Sequence, residues 1–176
     1  MKAILSLLLI IIPVLSSTSQ TKSDSVSLTE KLLVGKLHKD KVEITLDTAK
    51  FITLYNNEVY EGEFVIDELF IISAITKGDQ QIKYYYLQLS SKSGKVNVAR
   101  WLFVVNDSLY IDFSQDTDVF TYQDLYITCE GQGDCTPNLF IIGDEYIWGC
   151  QEDITKCEDI VEVNDPIFCT TKKTAF

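Results

Sequence analysis

Basic residues, proline and histidine are scarce in this chain of 176 residues. Fifteen Lys and Arg stand against 26 Asp and Glu, which gives a formal charge of -11. Nucleic acid is thereby disfavoured as a partner, because phosphate binding needs a basic face. With 3 Pro and 8 Gly, the composition excludes collagen and low-complexity sequence and favours one packed domain. The one histidine, His38, lies between two lysines, and we expect it on the surface. Because the chain has no motif for a catalytic nucleophile, we assign no catalytic residues.

Long apolar runs are also absent after residue 15. Residues 3–15 are apolar except for Ser6 and Pro13, follow Lys2, and precede the small residues 16–19. This layout is typical of a secretory signal peptide (residues 1–19) cleaved after Ser19, and it is shorter than the roughly 20 residues of a spanning helix. The alternative is an uncleaved anchor. We therefore predict a secreted or periplasmic protein without a membrane span after cleavage, in which residues 20–27 form a flexible leader.

Alternating polar and apolar residues predict strands in most of the remaining chain. Val42, Ile44 and Leu46 alternate with polar neighbours, and the pair Asn56-Asn57 suits a hairpin between two further strands. The connections are too short for crossover helices, so the neighbours are predicted to be antiparallel. A short helix or first strand is expected from residue 28. The predicted strands are 42–46, 51–55, 59–66, 69–75, 82–89, 95–105, 108–113 and 119–128.

Two of these strands are apolar on both faces, which determines the predicted architecture. Neither residues 69–72 nor residues 101–105 have a polar face, so each must be covered on both sides. We predict an all-β fold in which an antiparallel meander (residues 28–128) forms a barrel or a two-layer sandwich. The acidic, cysteine-bearing C-terminal segment (129–176) is predicted to belong to the same domain and to pack on this sheet. Within that segment, residues 138–142 and 146–148 are expected to form a hairpin.

All five cysteines lie in this C-terminal segment. In an exported protein they are best interpreted as disulfides, although five cysteines allow fifteen arrangements of two bridges. Short intervening loops favour Cys129 with Cys135 and Cys150 with Cys157, which leaves Cys169 free or bonded to a second chain. A zinc site is a more specific alternative, but the spacings between the cysteines do not match those of the usual zinc-binding thiolate pairs. Reduced, buried cysteines are the remaining alternative.

No other motif identifies a metal or cofactor, and none is predicted. Asp112, Asp116, Asp118 and Asp124 surround one loop and offer oxygen ligands for calcium, but their spacing does not match an EF-hand.

The tyrosine triplet 84–86 and the sequence 106–108 each have a structural and a functional interpretation. For Tyr84, Tyr85 and Tyr86 we favour core packing on one face over a ligand-lining or carbohydrate-stacking face. Asn106-Asp107-Ser108 matches a glycosylation acceptor and equally suits a hairpin turn.

These observations favour an exported, non-enzymatic binding protein that acts through its surface. Its partner is an unidentified protein or small molecule, and the acidic charge favours a cationic one. The alternative is a small β-barrel carrier of an apolar molecule, and a carboxylate- or tyrosine-based enzyme is a third hypothesis. In the carrier, the ligand would contact Phe51, Phe64, Trp101 and Phe103.

Overall fold

A computed structural model describes residues 31–39, 41–113, 121–131, 135–150 and 169–175. One helix, α1 (Thr48–Glu58), accompanies eleven strands. The strands are β1 (Lys31–His38), β2 (Lys41–Ile44), β3 (Glu68–Ile75), β4 (Lys77–Gly78), β5 (Lys83–Ser90), β6 (Val96–Val105), β7 (Ser108–Asp112), β8 (Leu125–Gly131), β9 (Asn138–Ile142), β10 (Glu145–Gly149) and β11 (Cys169–Ala175).

Eight of the strands form one antiparallel sheet that divides at β6. One edge of β6 pairs with β5, and β5 pairs with β3. The other edge pairs with β8 from Val96 to Arg100 and with β7 from Phe103 to Val105. From this fork, β7 leads to β1 and β2, whereas β8 leads to β11. We call β8 and β11 the wing.

The sheet curls into a half-barrel around α1, and this inner face holds the first core. Phe51 and Tyr55 of the helix are buried there, together with Val59 just after it. They pack against alternate side chains of the sheet, such as Leu89 on β5 and Leu102 on β6. Since α1 fills the curve, the interior is a packed core.

The outer face of the sheet holds a second core beneath a small three-stranded sheet. In this sheet β9 pairs antiparallel with β10 and parallel with β4. Buried Leu139 and Trp148 of the small sheet pack over Tyr86, Ala99 and other outer-face residues. Both faces of the main sheet therefore carry a packed layer. The cover of the two-sided apolar strands is incomplete, because Phe70 is 44% exposed and Val104 and Val105 are each 48% exposed.

The predicted all-β fold with a cysteine-bearing C-terminal segment packed on it is confirmed. Strands predicted at 69–75, 82–89, 95–105 and 108–113, and the hairpin of 138–142 with 146–148, agree to within one residue at each end. The strand order departs from a simple meander at β6, because β8 shares an edge of β6 with β7.

Two predicted strands, 51–55 and 59–66, are wrong. The first is part of α1, whose N-terminus is capped because the Asp47 carboxylate accepts a hydrogen bond from the Lys50 N–H at 3.1 Å. Phe51, Tyr55 and Val59 repeat every four residues, which places them on the buried side of a helix. The second is an irregular loop, and Asn56 lies within the helix rather than in a hairpin turn.

Candidate functional site

Two disulfides join the small sheet to the wing. Cys129 of β8 is bonded to Cys150, which follows β10, and Cys135, just before β9, is bonded to Cys169 of β11. The predicted pair Cys129–Cys135 is therefore wrong, and Cys169 is not free. The sequence-local pairing failed because Cys129 points outward under the small sheet, where Cys150 is its neighbour in space.

The predicted partner of Cys150, Cys157, lies outside the described residues. Because Cys150 is bonded to Cys129, the predicted pair Cys150–Cys157 is wrong as well. Two disulfides indicate an oxidising environment.

The structure does not bring the four predicted carrier residues together around one cavity. Phe51 is buried in the inner core, and Phe64 packs at its margin. Trp101 belongs to the outer core, and Phe103 follows it on the same side of β6. A ligand in contact with Phe51 would therefore be separated from Trp101 by the main sheet.

The tyrosine triplet packs as the structural interpretation predicts. Tyr84 and Tyr86 are 3% exposed in the outer core, and Tyr85 packs partly against the inner core. Tyr84 stacks on Trp101 with 5.5 Å between ring centroids. Because Tyr84 and Tyr86 are enclosed, their rings offer no face to a sugar.

The remaining predicted features lie apart from one another. His38 is exposed, with Nε2 2.9 Å from the Glu43 carboxylate. Asn106 is exposed in the turn between β6 and β7, where its φ of 49° suits a tight turn, and its glycosylation stays a prediction. Asp116 and Asp118 of the calcium hypothesis lie outside the described residues. Among those described, no three His, Cys, Asp or Glu side chains form a metal-binding group.

Asp112 and Asp124 flank the fork in the main sheet, where Arg100 is buried. Arg100 is 2% exposed, its Nη2 donates to the Asp112 carbonyl oxygen at 3.1 Å, and its guanidinium lies 5.3 Å from the Tyr126 ring centroid. Within the described part of the chain, its Nε and Nη1 atoms and Oδ1 of Asp124 are buried without hydrogen-bond partners. Burial lowers the pKa of Arg100, while Tyr126 and the two aspartates act in the opposite direction. These interactions place a positive charge inside the fork.

The residues between α1 and β3 form an exposed surface that carries both apolar and acidic side chains. We call residues 59–67 the 59–67 loop. Val59 and Ile66 are buried at its two ends. Asn56, on the helix, fixes the far end of the loop through two hydrogen bonds to Ile66. Its Nδ2 donates to the Ile66 carbonyl at 2.8 Å, and its Oδ1 accepts from the Ile66 N–H at 3.1 Å. The loop is therefore fixed at both ends while its central residues face solvent.

Apolar and acidic side chains lie side by side on the exposed part of this loop. Val65 is 71% exposed, Tyr60 and Phe64 are half-buried, and Glu61 and Glu63 are exposed. Burial is the main cause that raises the pKa of Tyr60, followed by the nearby Glu130 carboxylate. The Tyr60 hydroxyl is buried over Gly62 without a hydrogen-bond partner of standard geometry, although the Phe64 backbone lies near enough to favour its ionised form.

A depression lies on each side of the 59–67 loop. The larger has a volume of about 350 Å³ and is bounded by the exposed side of α1, including Asn57, and by Glu63 and Val65 of the loop. The smaller, of about 170 Å³, lies between the loop and the wing, and we call it the wing pocket. Tyr60 and Gly62 contribute to both depressions.

The wing pocket combines tyrosine rings, hydroxyl groups and charged side chains. Burial raises the pKa of its Tyr55 phenol well above the usual range. At its rim, Lys172 Nζ lies 3.2 Å from a carboxylate oxygen of Glu61. The residues that line the pocket are Tyr55, Val59, Tyr60, Glu61, Gly62, Thr128, Glu130, Lys172 and Thr174.

The sequence indicated neither depression. The segment 59–66 is largely apolar and follows the turn-like pair Asn56-Asn57, which predicted a strand where the structure has a loop. Its interruption by Gly62, and the four-residue spacing of Phe51, Tyr55 and Val59, were the signals available. Glu130 and Lys172 enter the site only because β8 pairs with β11, a long-range pairing that no local pattern reports.

Comparison of the chain with protein-family models, curated proteins and solved structures gives no match. No helix among the described residues has the length and hydrophobicity needed to cross a membrane.

Proposed function

We propose that this chain is an exported, non-enzymatic binding module that contacts a cationic partner through the 59–67 loop. The observation that carries the proposal is the loop itself, with exposed acidic and apolar residues on a segment fixed at both ends. Exposed loops that a rigid scaffold positions are common binding sites in proteins. A fixed loop also loses little conformational entropy when a partner binds.

Charge favours a cationic partner at this surface. Glu58, Glu61, Glu63, Asp67, Glu68 and Glu130 lie in or beside the loop. Three lysines oppose them: Lys172 pairs with Glu61, Lys92 lies 3.7 Å from Asp67, and Lys95 lies over the Phe64 ring. Six negative and three positive charges leave three negative charges, which attract cations and repel anionic surfaces over about a Debye length.

Export is supported by two independent features. The two disulfides fit an oxidising compartment, and residues 1–19 have the pattern of a cleaved signal peptide.

A charge-matched pair of variants tests the proposal, with an octa-lysine peptide as the probe. Glu61→Gln/Glu63→Gln removes two charges from the loop, and Asp144→Asn/Glu145→Gln removes two from the exposed turn of the β9–β10 hairpin. We expect the loop variant to weaken binding about three- to tenfold at low salt, because each exposed pair contributes about 0.2–1 kcal/mol. The control variant should stay within about twofold of the unsubstituted protein.

Affinities are measured by titration calorimetry at low and high ionic strength, with octa-glutamate as the negative control. The affinity for octa-lysine should fall as salt screens the charges. If both double variants weaken binding equally, net charge rather than the loop governs the interaction and the proposal is wrong.

A further inference from the structure

We infer that the wing pocket binds one basic side chain, lysine or arginine, of a protein partner, with the Glu130 carboxylate as its counter-charge. This inference rests on the proposed function and assigns a specific contact to it. At about 170 Å³, the pocket is smaller than the roughly 300–1,000 Å³ of typical drug-sized ligand sites. Its size therefore suits a single side chain better than a large ligand.

The charges in the pocket favour a cation. Lys172 at the rim pairs with Glu61, so one positive and one negative charge are already matched. Glu130 is half-buried and has no ion-pair partner within the described ranges. A bound ammonium or guanidinium would pair with this carboxylate in a partly desolvated site, where the interaction is less screened than on an open surface.

The uncharged walls suit the rest of a basic side chain. Tyr55 and Tyr60 have their ring centroids 6.2 Å apart and are tilted by 20°. Tyr55 and Val59 are buried behind Tyr60 (2% and 9% exposed), so the half-buried Tyr60 supplies the accessible apolar surface for the methylene groups of a lysine or arginine. Its aromatic ring also attracts the cation. The same chemistry occurs within this protein, where Lys95 Nζ lies 5.6 Å from the Phe64 ring centroid.

The pocket results from the fork in the main sheet. The inner faces of β8 and β11 supply Glu130 and Thr174, while the end of α1 and the loop supply the opposite side. On the other side of the fork, Leu109 and Ile111 of β7 belong to the same inner core as Phe51 of α1. The cavity lies where α1 meets the wing.

Titration by nuclear magnetic resonance tests the inference directly. The probes are Nα-acetyl-lysine methylamide and Nα-acetyl-arginine methylamide, and the neutral control is the lysine probe acetylated at Nε. We expect saturable shifts at the amides of Thr128, Glu130 and Lys172 with both cationic probes, and no saturable shift with the neutral one. Equal shifts with the neutral probe would contradict the inference.

Glu130→Gln is the decisive variant, and Glu145→Gln, at the exposed start of β10, is its charge-matched control because Glu145 lines neither depression. Loss of the ion pair should weaken binding of the lysine probe about fivefold, while Glu145→Gln should leave it unchanged. Equal effects of the two variants would overturn the inference. Should Glu130→Gln fail to fold, Thr174→Phe fills the pocket from β11 without changing charge and should abolish the shifts. Retained binding in that variant would contradict the inference.

The outcomes separate this inference from the proposed function. If Glu61→Gln/Glu63→Gln weakens octa-lysine binding but Glu130→Gln changes neither probe, the loop proposal stands and the pocket inference fails. Tighter binding of spermidine than of octa-lysine would identify a free polyamine site and would contradict the protein partner.

Discussion

Arg100 carries a buried positive charge at the point where the main sheet divides. Its guanidinium donates a hydrogen bond to the Asp112 carbonyl and contacts the Tyr126 ring, whereas Nε and Nη1 lack partners among the described residues. Buried donors without partners cost free energy, so the charge itself should contribute little net stability. The volume of the side chain, which fills the fork, should matter more.

Substitution of Arg100 separates volume from charge. Arg100→Met keeps most of the volume and should change the free energy of unfolding by less than about 1 kcal/mol. Arg100→Ala leaves a cavity and should destabilise the protein by about 2–4 kcal/mol. Urea unfolding measures both variants. Equal destabilisation by Met and Ala would show that the guanidinium, and not its volume, is required.

At the scale of elements, the disulfides hold the small sheet and the wing together. The Cys135–Cys169 bridge spans 34 residues and joins the chain before β9 to β11. Chain-entropy arguments assign about 3–4 kcal/mol to a bridge of this span. Cys135→Ser/Cys169→Ser should therefore lower the free energy of unfolding by about that amount.

Urea unfolding under non-reducing conditions checks this value. The matched control is the intact protein at the same pH. A variant as stable as the intact protein would mean that β8–β11 pairing alone fixes the wing.

Some of the strands could be predicted from the sequence, whereas the helix, the disulfide pairing and the wing pocket could not. Strands β5, β6 and β7 were predictable because turn residues separate their apolar segments. The helix was missed because Phe51–Tyr55 is a short apolar run, for which strand and helix patterns overlap. The disulfide pairing depends on which residues the small sheet places over β8, and loop length does not report this. The wing pocket was equally hidden, because its two sides come from α1 and from the distant strands β8 and β11.

At the scale of the whole molecule, buried phenols predict how stability changes with pH. Burial raises the pKa of Tyr126 from 10.0 to about 12, although Arg100 acts against this increase, and burial also raises the pKa of Tyr55 and Tyr84. The folded state holds these protons more tightly than the unfolded state. The contribution of these phenols to the free energy of unfolding is therefore complete below pH 10, where they are protonated in both states. It is lost as the pH rises toward 12.

The loss at Tyr126 alone corresponds to roughly 3 kcal/mol for a shift of about two pH units. Urea unfolding at a series of pH values, with tyrosinate absorbance recorded in parallel, measures the effect. Tyr126→Phe should reduce the dependence of stability on pH in this range. Unchanged stability up to pH 12 would contradict the prediction.

The position of β11 in the chain has a consequence for biosynthesis. The ribosome completes β8 before β9, β10 and the remainder of the cysteine-bearing segment, so β8 emerges long before its partner β11. During that interval the nascent chain presents an unpaired strand edge, which is a hazard for association with other chains. The Cys129–Cys150 bridge can form before β11 is made, whereas the Cys135–Cys169 bridge must follow it. A chaperone that shields β8 until then would raise the yield.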